Sequence, residues 1–274
     1  MKYIDVHSHL TEARFKSERD AILKQMKREE ISTISIGTDR ATSEQAVSLA
    51  RENDNVWATI GQHPVDKKEE VFDASFYKRL YEYNQDIIVG LGECGLDYYW
   101  PGKDVESGKM NATELSLEKE RQQKLFRDQI NLAVELDLPL MLHVRSFKSG
   151  DAHRETLDIL GEKEQELGKP LHVNFHFFTE TPDIAREIVK RGYYVSFPGV
   201  ITFANLDTTV ASVPLDRIMT ETDSPYAAPV PHRGKLATPL MIREMVKKIA
   251  QVHKVDEETV RKQVIENAHQ LFRI

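Results

Sequence analysis

Histidines and carboxylates recur at the ends of short, β-rich runs, and their types and spacing suit metal chemistry. The first run ends in Asp5-Val6-His7-Ser8-His9. Side chains two apart on a strand point the same way, so both imidazoles face one side. Further motifs are Gly61-Gln62-His63-Pro64, Gly92-Glu93-Cys94-Gly95-Leu96-Asp97, His143-Val144-Arg145, His176-Phe177-Phe178 and Glu221-Thr222-Asp223-Ser224-Pro225. A neutral imidazole donates a lone pair to a borderline cation, and a carboxylate has two oxygens with which to bridge two cations. Glu93 is the natural bridge. His7, His9 and Asp223 complete one site around it, and His143 and His176 hold the second. Two metals ~3.5–4 Å apart can activate water and clamp an anionic transition state. No lysine stands at these strand ends to serve as a carbamylated bridge. Mixed nitrogen and oxygen ligands accept Zn²⁺, Mn²⁺, Co²⁺ and, less comfortably, Mg²⁺.

Eight runs rich in Ile, Val, Tyr and Leu read as strands: Lys2–Val6, Ile31–Gly37, Val56–Ile60, Ile87–Leu91, Pro139–His143, Leu171–His176, Tyr193–Phe197 and Ile218–Glu221. Amphipathic helical patterns separate them, at Ser17–Arg28 (apolar face Ala21, Ile22, Met26), Ser43–Glu52, Asp73–Tyr83, Leu117–Leu136, His153–Leu167 and Thr181–Arg191. Met241–Val252 and Asp256–Phe272 follow the last strand. Eight strands alternating with helices predict one α/β domain over residues 1–274. Eight is also the number that closes a (β/α)8 TIM barrel with its active site at the C-terminal ends of the strands. An open doubly wound sheet is the runner-up, disfavoured because no glycine-rich phosphate fingerprint follows the first strand. Trp100–Glu114, with two glycines, a proline and mixed charges, reads as a long surface loop at the mouth. His153, His172, His232, His253 and His269 lie away from the strand ends, and most of them read as solvated or structural.

Composition narrows the function classes. Thirty-seven Lys and Arg against 44 Asp and Glu give a net charge of −7 over 274 residues. A polycationic surface that wraps duplex DNA is thereby excluded, but a local phosphate site built on metal ions is not. The single cysteine, Cys94, excludes an internal disulfide and any cysteine-rich zinc module, and fits a reducing cytoplasm. The longest stretch free of Asp, Glu, Lys and Arg is Gly192–Leu206, too short to span a membrane and interrupted by Pro198. The N-terminus has no apolar region of signal-peptide length.

Together, DVHSH, GQHP, GECGLDYY, the HVR element, HFF, ETDSPY and PVPHRGK resemble the TatD family of metal-dependent deoxyribonucleases, in the family's order and over nearly the whole chain. The resemblance implies a TIM barrel of the amidohydrolase-like superfamily that binds two divalent metals and cleaves DNA phosphodiesters. It implies His7, His9, Glu93, His143, His176 and Asp223 as ligands. Two motifs depart from the family pattern. Its usual HCFSG stands here as His176-Phe177-Phe178-Thr179-Glu180, and its usual asparagine-proline pair as Thr238-Pro239. Neither removes a ligand, and both bear on substrate choice.

The expected activity is a TatD-type, 3′-5′ exonuclease-like deoxyribonuclease that uses metal-activated water. Asp223 or Glu221 accepts or relays the proton, and Glu221 can alternatively orient a ligand. His63 contacts substrate or orients the water, or else is structural before Pro64. Asp97 fixes its loop or else is a catalyst, Asp5 caps or orients the first strand or else supports a ligand from behind, and Cys94 packs beside Glu93. Arg145, His232, Arg233 and Lys235 are candidate phosphate donors. Tyr98, Tyr99 and Trp100 either stack on bases or pack at the rim. The expected substrate is single-stranded or short DNA, with no membrane and no obligate protein partner. The alternative activity is a small-molecule amidohydrolase or lactonase with the same metals, and a third reading is a binding protein that has lost catalysis.

Overall fold

A computed structural model describes residues 1–148 and 150–274. The strands are β1 Tyr3–Ser8, β2 Ile31–Ile36, β3 Val56–Ile60, β4 Ile88–Asp97, β5 Leu140–Arg145, β6 Val173–Phe175, β7 Tyr194–Phe197 and β8 Ile218–Thr220. They pair in parallel and in sequence order to form one eight-stranded sheet. The helices are α1 Arg19–Arg28, α2 Arg40–Glu52, α3 Ala74–Glu82, α4 Tyr99–Glu106, α5 Ala112–Leu136, α6 Asp151–Leu167, α7 Pro182–Lys190, α8 Asp207–Ala211, α9 Ile242–His253 and α10 Glu257–Phe272. All eight expected strands are present, and the architecture is the (β/α)8 barrel. Among the described residues no helix is long and apolar enough to cross a membrane.

Asp5 holds the seam where β1 meets β8. Its carboxylate accepts from the Thr222 N–H at 2.9 Å, the Thr222 hydroxyl at 2.5 Å and the His7 N–H at 3.2 Å. The Asp223 N–H donates to the His7 carbonyl at 2.9 Å, and the His9 N–H to the Ser224 carbonyl at 2.8 Å. Complete burial pushes the Asp5 carboxyl up to about 8. This seam carries three expected ligands, His7, His9 and Asp223, so closing the barrel and building the site are one event.

Three expectations need correction. The fourth strand does not stop at Leu91. It runs on to Asp97, past a register shift between Leu91 and Cys94, and takes Glu93 inside the sheet. Gly92 and Gly95 let it continue. Their φ values are 147° and 134°. A Cβ on either would stand 2.3 Å from the Met141 carbonyl oxygen or 2.2 Å from that of His143, so only glycine lets β4 lie this close to β5.

Second, Trp100–Glu114 is not a long loop. It contains most of α4, a short turn and the start of α5. The Tyr99 and Trp100 N–H groups donate to Asp97 Oδ1, and Pro101 and Gly102 are buried. Asn111 and Glu114 form a reciprocal capping box that starts α5. Glycine and proline punctuation hid a helix whose first turn is tied to the strand before it. Third, α1 buries Ile22, Leu23 and Met26, while Ala21 is exposed.

Gly95→Ala is expected to lower stability by more than ~2 kcal/mol, because it combines left-handed strain with a backbone overlap that no rotamer relieves. The same change should displace His143, which pairs with Gly95 across the two strands. Thermal unfolding together with metal titration checks both effects. An unchanged midpoint with unchanged metal uptake would refute the close-approach argument.

Candidate metal centre

The strand ends open into a cavity of about 1100 Å³, whose lining includes His9, His63, Glu93, His143, His176 and Asp223. His7 is fully buried beside them. β1 supplies His7, with His9 just past its end. β4 supplies Glu93, β5 supplies His143, and His176 and Asp223 follow β6 and β8. The sheet thus gathers residues more than 200 positions apart in the chain.

Glu93 divides its two oxygens. Oε2 lies 3.4 Å from His7 Nε2 and 3.5 Å from His9 Nε2. Asp223 Oδ1 lies 3.6 Å from the first of these nitrogens and 3.3 Å from the second, and the two nitrogens are 3.2 Å apart. A tetrahedral cation with ligands at ~2.1 Å has ligand–ligand edges of ~3.4 Å. This donor set therefore fits a small divalent ion.

The other oxygen, Oε1, lies 2.8 Å from His176 Nε2 and 2.9 Å from His143 Nδ1, with those two nitrogens 3.4 Å apart. His63 Nε2 stands 3.7 Å from the same oxygen. The structure thus brings all six expected ligands together. It adds His63, expected as a substrate or water contact, at ligand distance of the second set.

The electrostatics agree with this geometry. Burial disfavours the Glu93 anion, but His176 and His7, with hydrogen bonds from His143 and His176, hold its carboxyl well below the usual range. Burial also disfavours a charged His143, yet its bonds to Asp97 and Glu93 raise it to about 9. His176 likewise rises well above the ordinary imidazole value against desolvation, through Glu93 and Glu221. Without a cation, protons on these imidazoles neutralise the buried carboxylates. A divalent ion can take over that role, since the same nitrogens can present lone pairs to it.

Carboxylates stand behind three of the imidazoles, as they commonly do behind ligating histidines. Asp97 Oδ2 lies 3.0 Å from His143 Nε2 while Oδ1 holds the start of α4, so one residue fixes both loop and imidazole. Asp66 lies 3.3 Å from His63 Nδ1. The three-residue spacing from His63 to Asp66 was the available signal for this pair. Glu221 lies 3.4 Å from His176 Nδ1, without the alignment of a hydrogen bond. It is fully buried and is fixed by the Phe177 N–H at 2.7 Å and by the Ser196 hydroxyl. Glu221 is absent from the cavity lining, so its place is behind the ligand.

Of the expected phosphate donors, only Arg145 lines the cavity. His232 lies 3.9 Å from Glu244, Arg233 stacks 3.7 Å from the Phe203 ring centroid and donates to the Ala228 carbonyl, and Lys235 is exposed outside the lining. Sequence reasoning missed Lys16, Ser146 and His153 in the cavity wall. His153 is buried and bonded to Ser146 at 2.9 Å, and burial lowers its imidazole to about 3. The signal for Ser146 was its position directly after the His143-Val144-Arg145 element, whereas His153 enters from the first turn of α6. Lys16 follows the β1 motif.

The model of the family described as TatD related DNase matches residues 4–273. The chain belongs to this family. It is 33% identical to the uncharacterized metal-dependent hydrolase YabD of Bacillus subtilis, over 98% of each chain. It is 34% identical to the uncharacterized metal-dependent hydrolase YcfH of Escherichia coli K12, over 100% of this chain and 97% of that one. Among solved structures, YJJV, a TatD homolog from Escherichia coli K12, superposes with a TM-score of 0.84 at 21% identity. That match covers 100% of this chain and 98% of the other. At this identity the likeness concerns the fold, and it matches the barrel of this TatD family member.

Metal binding must displace protons from His143 and His176. Apparent metal affinity is therefore expected to rise with pH through about 9, the value to which His143 is raised, with His176, also raised, adding to the proton release. Calorimetric titration in buffers of different ionisation enthalpy checks this. Metal uptake without proton release near neutral pH would contradict it.

Proposed function

We propose that this chain is a divalent-metal-dependent hydrolase of nucleic-acid phosphodiester bonds. In its finer form, the reading is a cytoplasmic TatD-type, 3′-5′ exonuclease-like deoxyribonuclease with two metal ions per chain, acting on single-stranded or short DNA. The observation that carries it is the division of Glu93 between two donor sets, which suits a bridge between two cations. The family's DNase description and the metal-dependent hydrolases among its relatives support the same reading.

His7, His9, Asp223 and Glu93 Oε2 would hold one ion, and His143, His176 and Glu93 Oε1 the other, with His63 in reach of the second. Bound divalent ions supply Lewis-acid polarisation of the phosphoryl group and a nucleophile near neutral pH. Asp223 reaches the cavity and is placed to accept the attacking water's proton on its carboxylate. Asp97 holds the His143 imidazole in orientation, and Glu221 and Asp66 place negative charge beside His176 and His63. Arg145 and Lys16 line the cavity and form no ion pair with a carboxylate among the described residues, so they remain available to an anionic substrate. Two divalent ions would bring four positive charges, which the carboxylates facing the donor sets and standing behind them (Glu93, Asp223, Asp97, Glu221 and Asp66) offset. The positive charge left to favour an anionic phosphodiester over a neutral amide is that of Arg145 and Lys16 on the cavity lining.

Replacing Glu93 by Gln keeps the shape but leaves one good acceptor oxygen. Metal content should fall, and kcat on DNA should fall ~10²-fold or more, by analogy with removal of one transition-state electrostatic contact. Elemental analysis and turnover of end-labelled single-stranded DNA, duplex DNA and RNA by apo and metal-restored enzyme test this reading. Turnover of a cyclic amide or lactone with no cleavage of any strand would replace it by the amidohydrolase reading.

A further inference from the structure

The corrected helix α4 builds a surface that the metal centre does not account for. Arg145 ends β5, two residues beyond His143 and on the same side of the strand. Its guanidinium carbon lies 3.8 Å from the Tyr99 ring centroid and 5.4 Å from that of Trp100. The two rings meet edge to face at 5.2 Å. The backbone beneath is fixed. Asp97 pairs with Arg145 in the β4–β5 register, the Tyr98 N–H donates to the Arg145 carbonyl at 2.8 Å, and Asp97 Oδ1 holds the N–H groups of Tyr99 and Trp100.

Its place over the Tyr99 ring occupies the Arg145 guanidinium without using its N–H groups. Among the described residues the Arg145 side chain donates no hydrogen bond and meets no carboxylate. Tyr99 and Arg145 line the cavity, whereas Trp100 lies just outside the lining and is 53% exposed. A half-exposed indole next to a guanidinium without a carboxylate partner among the described residues, at the rim of the cavity, suits a ligand that is both aromatic and anionic.

We infer that Arg145, Tyr99 and Trp100 form a nucleotide subsite for a single strand: Arg145 binds the phosphate next to the scissile one, and Trp100 stacks on the base as the strand leaves the cavity. The two-residue step from His143 to Arg145 spans ~6.6 Å of strand, comparable with the spacing of neighbouring phosphates on an extended single strand. Duplex DNA is excluded from the shelf, because a base paired inside a helix has no free face for the indole. The inference rests on the nucleic-acid reading of the metal centre, and it specifies how that site holds its polymer.

The chain's two tryptophans, Trp57 and Trp100, allow a binding test that does not depend on turnover. Metal-loaded protein is titrated with a phosphorothioate oligothymidylate while emission is followed, and affinity is read separately from the polarisation of a labelled strand. Quenching is expected in wild type and Trp57→Phe but not in Trp100→Phe, which should keep most of its affinity. Trp100→Ala should bind roughly tenfold or more weakly. Arg145→Ala should reduce the slope of log affinity against log salt by about 0.7, the value for one lost single-strand phosphate contact, and Arg145→Lys should restore the slope but not the full affinity. Circular dichroism checks that each variant is folded.

Unchanged Trp100 emission on binding, or wild-type affinity in Trp100→Ala, overturns the subsite. So does a wild type that binds no strand. Turnover of bis(p-nitrophenyl) phosphate and DNA by the wild type reports the hydrolase reading separately. A wild type that cleaves DNA while Trp100→Ala binds normally loses only the shelf. One that binds through Trp100 yet hydrolyses no phosphodiester loses only the nuclease reading.

Discussion

The buried carboxylate of Glu93 is the constraint on which the rest of the site depends. An anion almost removed from water is strongly disfavoured unless positive charge or hydrogen-bond donors surround it. Here the compensation comes from both sides, His7 and His9 facing one oxygen and His143 and His176 facing the other. Four imidazoles within reach of one carboxylate would repel one another if all were charged. His7 shows the conflict, for its imidazole is held below the ordinary value by burial and by His176, whose ring stacks on it at 3.8 Å. A pair of cations would resolve this, turning each nitrogen from a competing proton carrier into a lone-pair donor.

The barrel supplies what a loop could not, rigid placement of ligands from distant parts of the chain. Asp5 joins the first and last strands at the point where His7, His9 and Asp223 must converge. Gly92 and Gly95 let β4 pass close enough to β5 for Glu93 and His143 to meet. Behind the imidazoles stand Asp97, Glu221 and Asp66, of which Asp97 is hydrogen-bonded to its ring and also anchors α4. The helix that forms one side of the mouth is therefore attached to the same residue that orients a ligand.

That attachment gives the mouth its asymmetry. On the α4 side, Arg145 is stacked and unpaired beside an exposed indole. On the β8 side, Arg233 is occupied by Phe203 and the Ala228 carbonyl. A basic residue's nearness in sequence to a ligand motif does not bring it into the cavity, because the guanidinium settles on the nearest aromatic face and carbonyl. The motif after β8 suggested phosphate contacts, yet among the described residues the cations on the cavity lining without an ion pair include Arg145 and Lys16.

The sequence by itself determined the strand count and the barrel, and it named the six side chains that the fold brings together around Glu93. These follow from local regularities: β-rich runs alternate with helical ones, and metal-binding residue types cluster at the ends of those runs. It left open whatever depends on how close two segments approach. The fourth strand read as ending at Leu91 because what Gly92 and Gly95 make room for lies in β5, some fifty residues away. Trp100–Glu114 read as a loop because the hydrogen bonds that start α4 come from Asp97 and its burial comes from packing, neither of which composition reports. His63 at ligand distance, Glu221 behind His176 and the free guanidinium of Arg145 are likewise matters of side-chain direction. Only the closed barrel, by fixing which atoms share one small volume, decides them.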